Sequence, residues 1–126
     1  MGGESAEVYY NRGVTFINYR KYEDAVEALS KAIELEPDLA RAYYNRGIAF
    51  LNLNKYDEAM KDFDKAWLMR EKLFSMGAEV VSAVLKAISA NPDQLKKEAP
   101  VWLDRAKEVY DLLSDEVKGL VEQLKS

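Results

Sequence analysis

Tyr43-Tyr44-Asn45-Arg46-Gly47 repeats, residue for residue, the stretch Tyr9-Tyr10-Asn11-Arg12-Gly13 that lies 34 positions earlier. The likeness extends outward from both copies. Asn18 stands with Asn52, Lys21-Tyr22 with Lys55-Tyr56, Ala25 with Ala59, and Lys31-Ala32 with Lys65-Ala66. Fourteen of the 34 positions from Ala6 to Leu39 are identical to their counterparts from Ala40 to Leu73. Self-similarity at such a fixed period means one supersecondary unit stacked on a copy of itself, because a single unit of this size cannot bury its own apolar face. Two unrelated amphipathic hairpins would not share residues at this density.

The unit reads as a pair of helices. Ser5 is placed to cap a first helix from about Ala6 to Tyr19, in which Val8, Tyr9 and Phe16 fall on one side at helical spacing. Arg20-Lys21 makes a short turn. A second helix follows from about Tyr22 to Leu35, with Glu23 and Asp24 in its first turn, where negative charge meets the positive end of the helix. Glu36-Pro37-Asp38 stops it, proline being unable to continue a helix. The third helix runs from about Ala40 to Asn52, Leu53-Asn54-Lys55 turns the chain, and a fourth begins near Tyr56. Small residues at fixed points (Gly13, Ala25, Ala32 and their partners) let the paired helices approach closely.

These blocks resemble the tetratricopeptide repeat, a helix–turn–helix unit of 34 residues. Counted from Ala6 and Ala40, the family's aromatic at position four is Tyr9 and Tyr43, its glycine at eight Gly13 and Gly47, and its aromatic at eleven Phe16 and Phe50. The alanine at twenty is Ala25 and Ala59, the large apolar residue at twenty-four Leu29 and Phe63, and the alanine at twenty-seven Ala32 and Ala66. Two departures stand out. The usual leucine at seven is Arg12 and Arg46, and the proline at thirty-two is Pro37 in the first block but Glu71 in the second. The resemblance covers residues 6 to about 70 and implies an all-α fold of helical-hairpin repeats, an α-solenoid with a right-handed superhelix, completed by C-terminal capping helices.

Beyond the second block the pattern changes. A third repeat in the same register would start near Phe74 and would need an aromatic at Gly77, a glycine at Val81 and alanines at Asp93 and Pro100, none of which fits. The apolar stripe continues instead through Phe63, Trp67, Arg70, Phe74, Gly77, Val81, Val84 and Ile88 in a three-four alternation. Two readings stay open: a single helix from Tyr56 to Ala90, or a break near Gly77, the weak point of Ser75-Met76-Gly77, that folds residues 78 to 90 back. Asn91-Pro92 stops that segment and starts another, proline suiting a first helical position. Pro100 interrupts next, so residues 92 to 98 read as a short helix or turn. A final stripe follows: Trp102, Ala106, Val109, Leu113, Val117, Leu120 and Leu124. Ser114-Asp115 divides it, Ser114 being a good N-cap. No strand signal occurs. The division is thus a tail at 1–5, repeats at 6–39 and 40–73, with the second helix of the latter extended to about 90 on one reading, and a helical section at 74–126.

Composition narrows the function. Net charge is −4, and the two signs are mixed along the chain: residues 1–71 carry 10 basic and 13 acidic side chains, the rest 8 and 9. No basic face emerges, which argues against nucleic acid as a partner. With no cysteine and no histidine, disulfides, thiolate nucleophiles, sulfur-bound metals and the usual neutral-pH proton shuttle are excluded. No apolar run reaches the length of a membrane span, the start of the sequence lacks a signal-peptide pattern, and Gly2 opens no myristoylation motif because Ala6 stands where Ser or Thr is required. No membrane partner is expected, and cytoplasm is the expected compartment. No glycine-rich phosphate loop or nucleophile motif occurs, so neither catalysis nor a cofactor is expected.

The resemblance implies a binding surface on the first helices of the repeats. Its groove positions fall on Glu7, Tyr10, Asn11, Val14, Ile17 and Asn18, then on Arg41, Tyr44, Asn45, Ile48, Leu51 and Asn52. The competing reading makes these residues core, covered by the protein's own helices. One subfamily holds a partner's terminal carboxylate with lysines, asparagines and an arginine; only Asn45 matches that set, while Tyr10 and Val14 replace two of its members, so this clamp is not expected. Arg12 and Arg46 read as stems covering apolar surface with heads paired to nearby carboxylates. Asp57, Glu58, Asp62 and Asp64 read as a solvated acidic face at the start of the fourth helix, and Trp67 and Trp102 as packing anchors. The expected function is a protein–protein interaction module, an adaptor or scaffold that takes a peptide or helix. The alternatives are a self-assembling structural protein that pairs with a second copy through the stripe from Phe63 to Ile88, and a noncatalytic subunit of an enzyme complex. A further expectation is that a helix carrying Trp102, Val109 and Leu113, from the same chain or another, fills the groove at rest.

Overall fold

A computed structural model describes residues 3–126; residues 1 and 2, on which the reading of Gly2 falls, lie outside them. The chain divides into two compact units, one ending at Met69 and one spanning Arg70–Ser126.

In the first unit, four helices form two hairpins: α1 Ala6–Asn18, α2 Tyr22–Leu35, α3 Ala40–Asn52 and α4 Tyr56–Leu68. The expected starts of all four hold, and α1 ends one residue short of Tyr19. Ser5 caps α1 as its sequence suggests, its hydroxyl accepting from the Val8 N–H at 3.2 Å. Both hairpins turn by the same device. Arg20 and its counterpart Asn54 adopt left-handed backbone, φ 61° and 60°. The following N–H reaches back across the helix end, Lys21 to the Phe16 carbonyl at 2.8 Å and Lys55 to the Phe50 carbonyl at 2.9 Å. This is the six-to-one closure that satisfies orphan carbonyls at a helix end. Between the hairpins, the Tyr43 hydroxyl donates to the Pro37 carbonyl at 2.8 Å, which ties the family-type aromatic to the loop that ends α2.

Successive helices pack on one another, α1 on α2, α2 on α3 and α3 on α4. The small residues sit where helices approach. Ala25, Leu29, Ala42 and Ala49 are buried together, with Tyr10, Phe16, Ile17, Val26 and Ile33 packed against them. A Cβ added at Gly13 would lie 2.5 Å from Leu29 Cγ, and one at Gly47 would lie 2.9 Å from Phe63 Cε1. Each glycine is therefore a place where the facing residue at position twenty-four presses onto bare backbone.

The second unit holds α5 Met76–Ala90, the single-turn α6 Pro92–Leu95, α7 Ala99–Val109 and α8 Asp115–Lys125, with short 3₁₀ turns at Arg70–Lys72, Lys96–Glu98 and Tyr110–Leu112. α5 packs against α6, α7 and α8; its Val80, Val81, Val84, Leu85 and Ile88 are all buried. Asn91 closes α5 by donating from Nδ2 to the Ala87 carbonyl at 3.0 Å, and Pro92 opens α6. Residues 92–98 form the expected short helix and turn, and Pro100 lies in the first turn of the new helix α7. Ser114 caps α8, accepting from the Val117 N–H at 3.2 Å. The acidic Glu108 meets Arg70 at 2.9 Å, which fixes the 3₁₀ turn to α7.

The single long helix does not form. α4 stops at Leu68 and α5 starts at Met76, so the break precedes Gly77, which is buried inside α5. Ser75 carries the turn at φ 63°. The stripe from Phe63 to Ile88 is thereby cut: Phe74, one of its members, is 87% exposed, while Phe63, Trp67, Val81, Val84 and Ile88 are buried. The stripe is therefore not the face of one helix.

Gly119 lies in α8 with nothing within 4 Å of an added Cβ. Gly119→Ala is therefore expected to stabilise the chain by about 0.5–1 kcal/mol, the difference in helix propensity, seen as a raised urea midpoint; a lowered midpoint would contradict this placement of α8.

Candidate functional site

None of the twelve groove residues is buried. Glu7, Asn11, Asn18 and Asn52 are exposed; Tyr10, Val14, Ile17, Arg41, Tyr44, Asn45, Ile48 and Leu51 are partly buried. All lie on α1 or α3, the two first helices. The helices are joined across the groove by a direct bond, Asn45 Nδ2 donating to the Tyr10 hydroxyl at 3.1 Å. The same nitrogen donates to the Arg41 carbonyl at 2.9 Å. Asn45 is thus held in one orientation by both repeats. Three members of the strip also serve the interior. Tyr10 and Ile17 pack against the buried cluster, and Tyr44 meets the Phe63 ring edge-on at a centroid distance of 6.1 Å. Asn52 turns back to its own helix, Nδ2 donating to the Ile48 carbonyl at 2.9 Å.

A second feature arises from the arginines at position seven. Arg46 takes Asp62 as a bidentate pair, Nε to Oδ2 and Nη2 to Oδ1, both at 2.8 Å. Its third donor, Nη1, reaches Ser30 Oγ on α2 at 3.0 Å. The guanidinium sits 5.8 Å from the Tyr43 ring centre and 5.7 Å from that of Phe50, close enough for a cation–π attraction. Asp62 is only 4% exposed. Burial pushes its carboxyl above the ordinary value, and the hydrogen bonds from Arg46 pull it back only in part. The same bonds raise Arg46 further. Asp62 therefore does not belong to the solvated acidic face in which its sequence neighbours Asp57 and Glu58 lie. The signal that could have revealed it is the coincidence of arginine at seven, where the family has leucine, with aspartate at twenty-three in the second copy.

In the first copy position twenty-three is Ala28. Arg12 has no carboxylate on its own second helix. It binds Glu4 of the tail instead, at 2.5 and 2.6 Å, in a pair about half exposed on both sides. Those hydrogen bonds hold the Glu4 carboxyl below its ordinary value. Beside it a cavity of about 620 Å³ opens between α1 and α2, lined by Tyr9, Arg12, Phe16, Ala28 and Lys31 among others. Both arginines thus behave as their sequence suggests, with heads on carboxylates, but in opposite surroundings.

Trp67 and Trp102 are buried, consistent with packing anchors; Arg105 lies 4.5 Å above the Trp102 ring. Among the described residues, no cluster of three or more acidic, histidine or cysteine side chains could hold a metal ion, and no helix is long and apolar enough to cross a membrane.

Two family profiles match the chain. Residues 21–54 match the TPR repeat, and residues 40–72 match the tetratricopeptide repeat. The second match falls on α3 and α4; the first straddles the two hairpins, covering α2 and α3. No curated protein matches the chain.

Proposed function

We propose, from the tetratricopeptide-repeat models that match residues 21–72, a family whose repeats mediate protein–protein interaction, that the chain is a non-catalytic adaptor or scaffold. In this reading the repeats at 6–39 and 40–73 present α1 and α3 to a partner, which lies along them as a peptide or helix. The observation that carries the reading is the strip of Tyr10, Val14, Ile17, Tyr44, Ile48 and Leu51, all partly exposed on adjacent helices. Fully burying one large apolar side chain is worth about 1.5–3 kcal/mol, so completing the burial of several supplies a binding energy. Asn11 and Asn18 stand exposed beside the strip. Both N–H groups of Asn45 point at protein oxygens, so its amide oxygen is the atom oriented to accept a hydrogen bond from the partner. This is the usual division between an apolar anchor and a few placed polar groups.

The stripe expected to fill this groove starts at Trp102. That residue is fully buried on α7, a helix that packs against α5 and α8 of its own unit. We therefore assign the groove to an outside partner.

The test uses a peptide selected from a random library on the intact chain. Ile48→Glu is expected to weaken its binding about tenfold or more, since every 1.4 kcal/mol is a factor of ten. Lys61→Glu, on the exposed side of α4, should leave it unchanged. Equal affinity for Ile48→Glu and the unaltered chain would remove the groove as the binding surface.

A further inference from the structure

We propose that Arg12, with Tyr9 and Phe16, forms a second recognition site, distinct from the groove, that takes an acidic side chain carried on a partner helix. The case rests on the chain's own internal comparison. The frame of tyrosine, arginine and phenylalanine at positions four, seven and eleven occurs twice with identical residues. In the second repeat the frame is complete: Arg46, between Tyr43 and Phe50, grips the Asp62 carboxylate with two bonds, and α2 lies across it with Ser30 on the third donor. In the first repeat Ala28 replaces the aspartate, and beside Arg12 the cavity of about 620 Å³ lies open between α1 and α2.

The arginine still binds a carboxylate. Glu4 from the tail reaches it with two bonds as well, through Nη1 and Nη2 where Arg46 uses Nε and Nη2, but the pair is exposed: the Arg12 side chain is 48% accessible, against 21% for Arg46. An exposed pair of this kind contributes little and is easily exchanged. Glu4 is thus a resident stand-in for the group that the site takes. A partner carboxylate delivered on a helix would gain what Glu4 lacks, namely cover from water of the kind α2 gives Arg46. The rim adds a constraint. Among the described residues, Asp24, Glu27 and Glu34 line the cavity with Lys31 as the one cation besides Arg12, and Lys31 already has Glu34 at 3.9 Å. A uniformly acidic helix would be repelled. The fitting occupant is a helix with one central Asp or Glu and Lys or Arg one turn to either side.

The probe is an alanine-based helical peptide of about 17 residues with one central Glu and a Lys one turn away on each side; its control carries Gln at the centre. Binding is followed by the side-chain Nε–Hε resonances of Arg12 and Arg46 in one spectrum and by peptide fluorescence anisotropy. The Glu peptide is expected to shift Arg12 and leave Arg46 in place, and the Gln peptide to shift neither. Glu4→Gln, which removes the stand-in, should tighten binding by up to about fivefold. Ala28→Asp, which supplies the carboxylate that the second repeat already has, should abolish it with helicity unchanged. Should that variant not fold, Arg12→Gln decides, because the exposed Arg12 head can be removed without opening the interior. Equal binding of the two peptides, undiminished binding to Ala28→Asp or Arg12→Gln, or no movement of Arg12 at about millimolar peptide would each overturn the proposal. None of these outcomes touches the groove, whose residues lie on a different set of positions.

Discussion

Replacing Arg46 with Met is expected to destabilise the chain by about 3 kcal/mol, the low end for breaking a buried ion pair from one side, and replacing Asp62 with Leu in the same chain should restore most of the loss. The reason is the asymmetry of the pair. Asp62 is 4% exposed and all its charge-satisfying contacts shown here come from Arg46. Remove the arginine and a carboxylate is left in the interior without compensation; remove both and two hydrocarbon side chains occupy the same space. The equivalent change in the first repeat, Arg12→Met, should leave the urea midpoint where it is, because its pair with Glu4 is solvated. Equal losses at Arg12 and Arg46 would contradict the contrast drawn between the two copies.

The same pair sets a pH dependence. Burial is the larger influence on Asp62 and raises its carboxyl above the ordinary 3.8, with Arg46 opposing. A carboxyl whose pKa is raised on folding holds its proton more tightly in the folded chain. Its contribution therefore falls as pH rises from the unfolded value through the folded one. Arg46→Met removes the opposing influence and extends that window upward. The deficit of Arg46→Met should accordingly be small near about pH 4 and fully developed at neutral pH. Urea unfolding at both pH values measures it, and a deficit that does not shrink on acidification would show that Arg46 does not act on the Asp62 proton.

Gly47→Leu is expected to cost about 3 kcal/mol or more, the upper range for overpacking. The added Cβ alone meets the Phe63 ring at 2.9 to 3.1 Å, and Phe63 is wholly buried, so the ring has no solvent to move into. The added Cγ and its methyl groups must displace α4 from α3. Gly13→Ala is the sharper version of the same experiment. There the first carbon already overlaps Leu29 at 2.5 and 2.6 Å, and the clash is expected to outweigh the gain of about 1 kcal/mol from helix propensity. A thermal midpoint unchanged by Gly47→Leu would mean that the hairpins do not meet at glycine.

The first unit was legible in the sequence because the chain spells it twice. Identity at position eight and at the alanines places the close approaches, and the starts of α1 to α4 follow from Ser5, Pro37 and the polar turns. The break after α4 was not legible for a physical reason. Leu68, Met69, Arg70, Glu71 and Lys72 are all good helix formers, and the proline that ends the first block is Glu71 in the second. The apolar spacing from Phe63 to Ile88 happens to stay in phase across the gap, so periodicity ran straight through it. The turn itself is carried by Ser75 in a left-handed conformation, which serine does not announce, while Gly77 two residues on is the conspicuous weak point of the sequence. Asp62 was missed for a related reason. Four acidic residues at the head of a helix look like one solvated face, and only the position opposite Arg46 separates it from the others. The groove residues are where the family pattern puts them on α1 and α3, yet the bond between Asn45 and Tyr10 depends on packing between repeats and has no local signal.

The most direct measurement is a methyl and amide shift map of the isotope-labelled full chain with a peptide selected on it. If α1 and α3 form the partner surface, the largest shifts should fall on the methyls of Val14, Ile17, Ile48 and Leu51 and on the side-chain amide of Asn45. Shifts concentrated in residues 70–126, with those five groups unmoved, would contradict it.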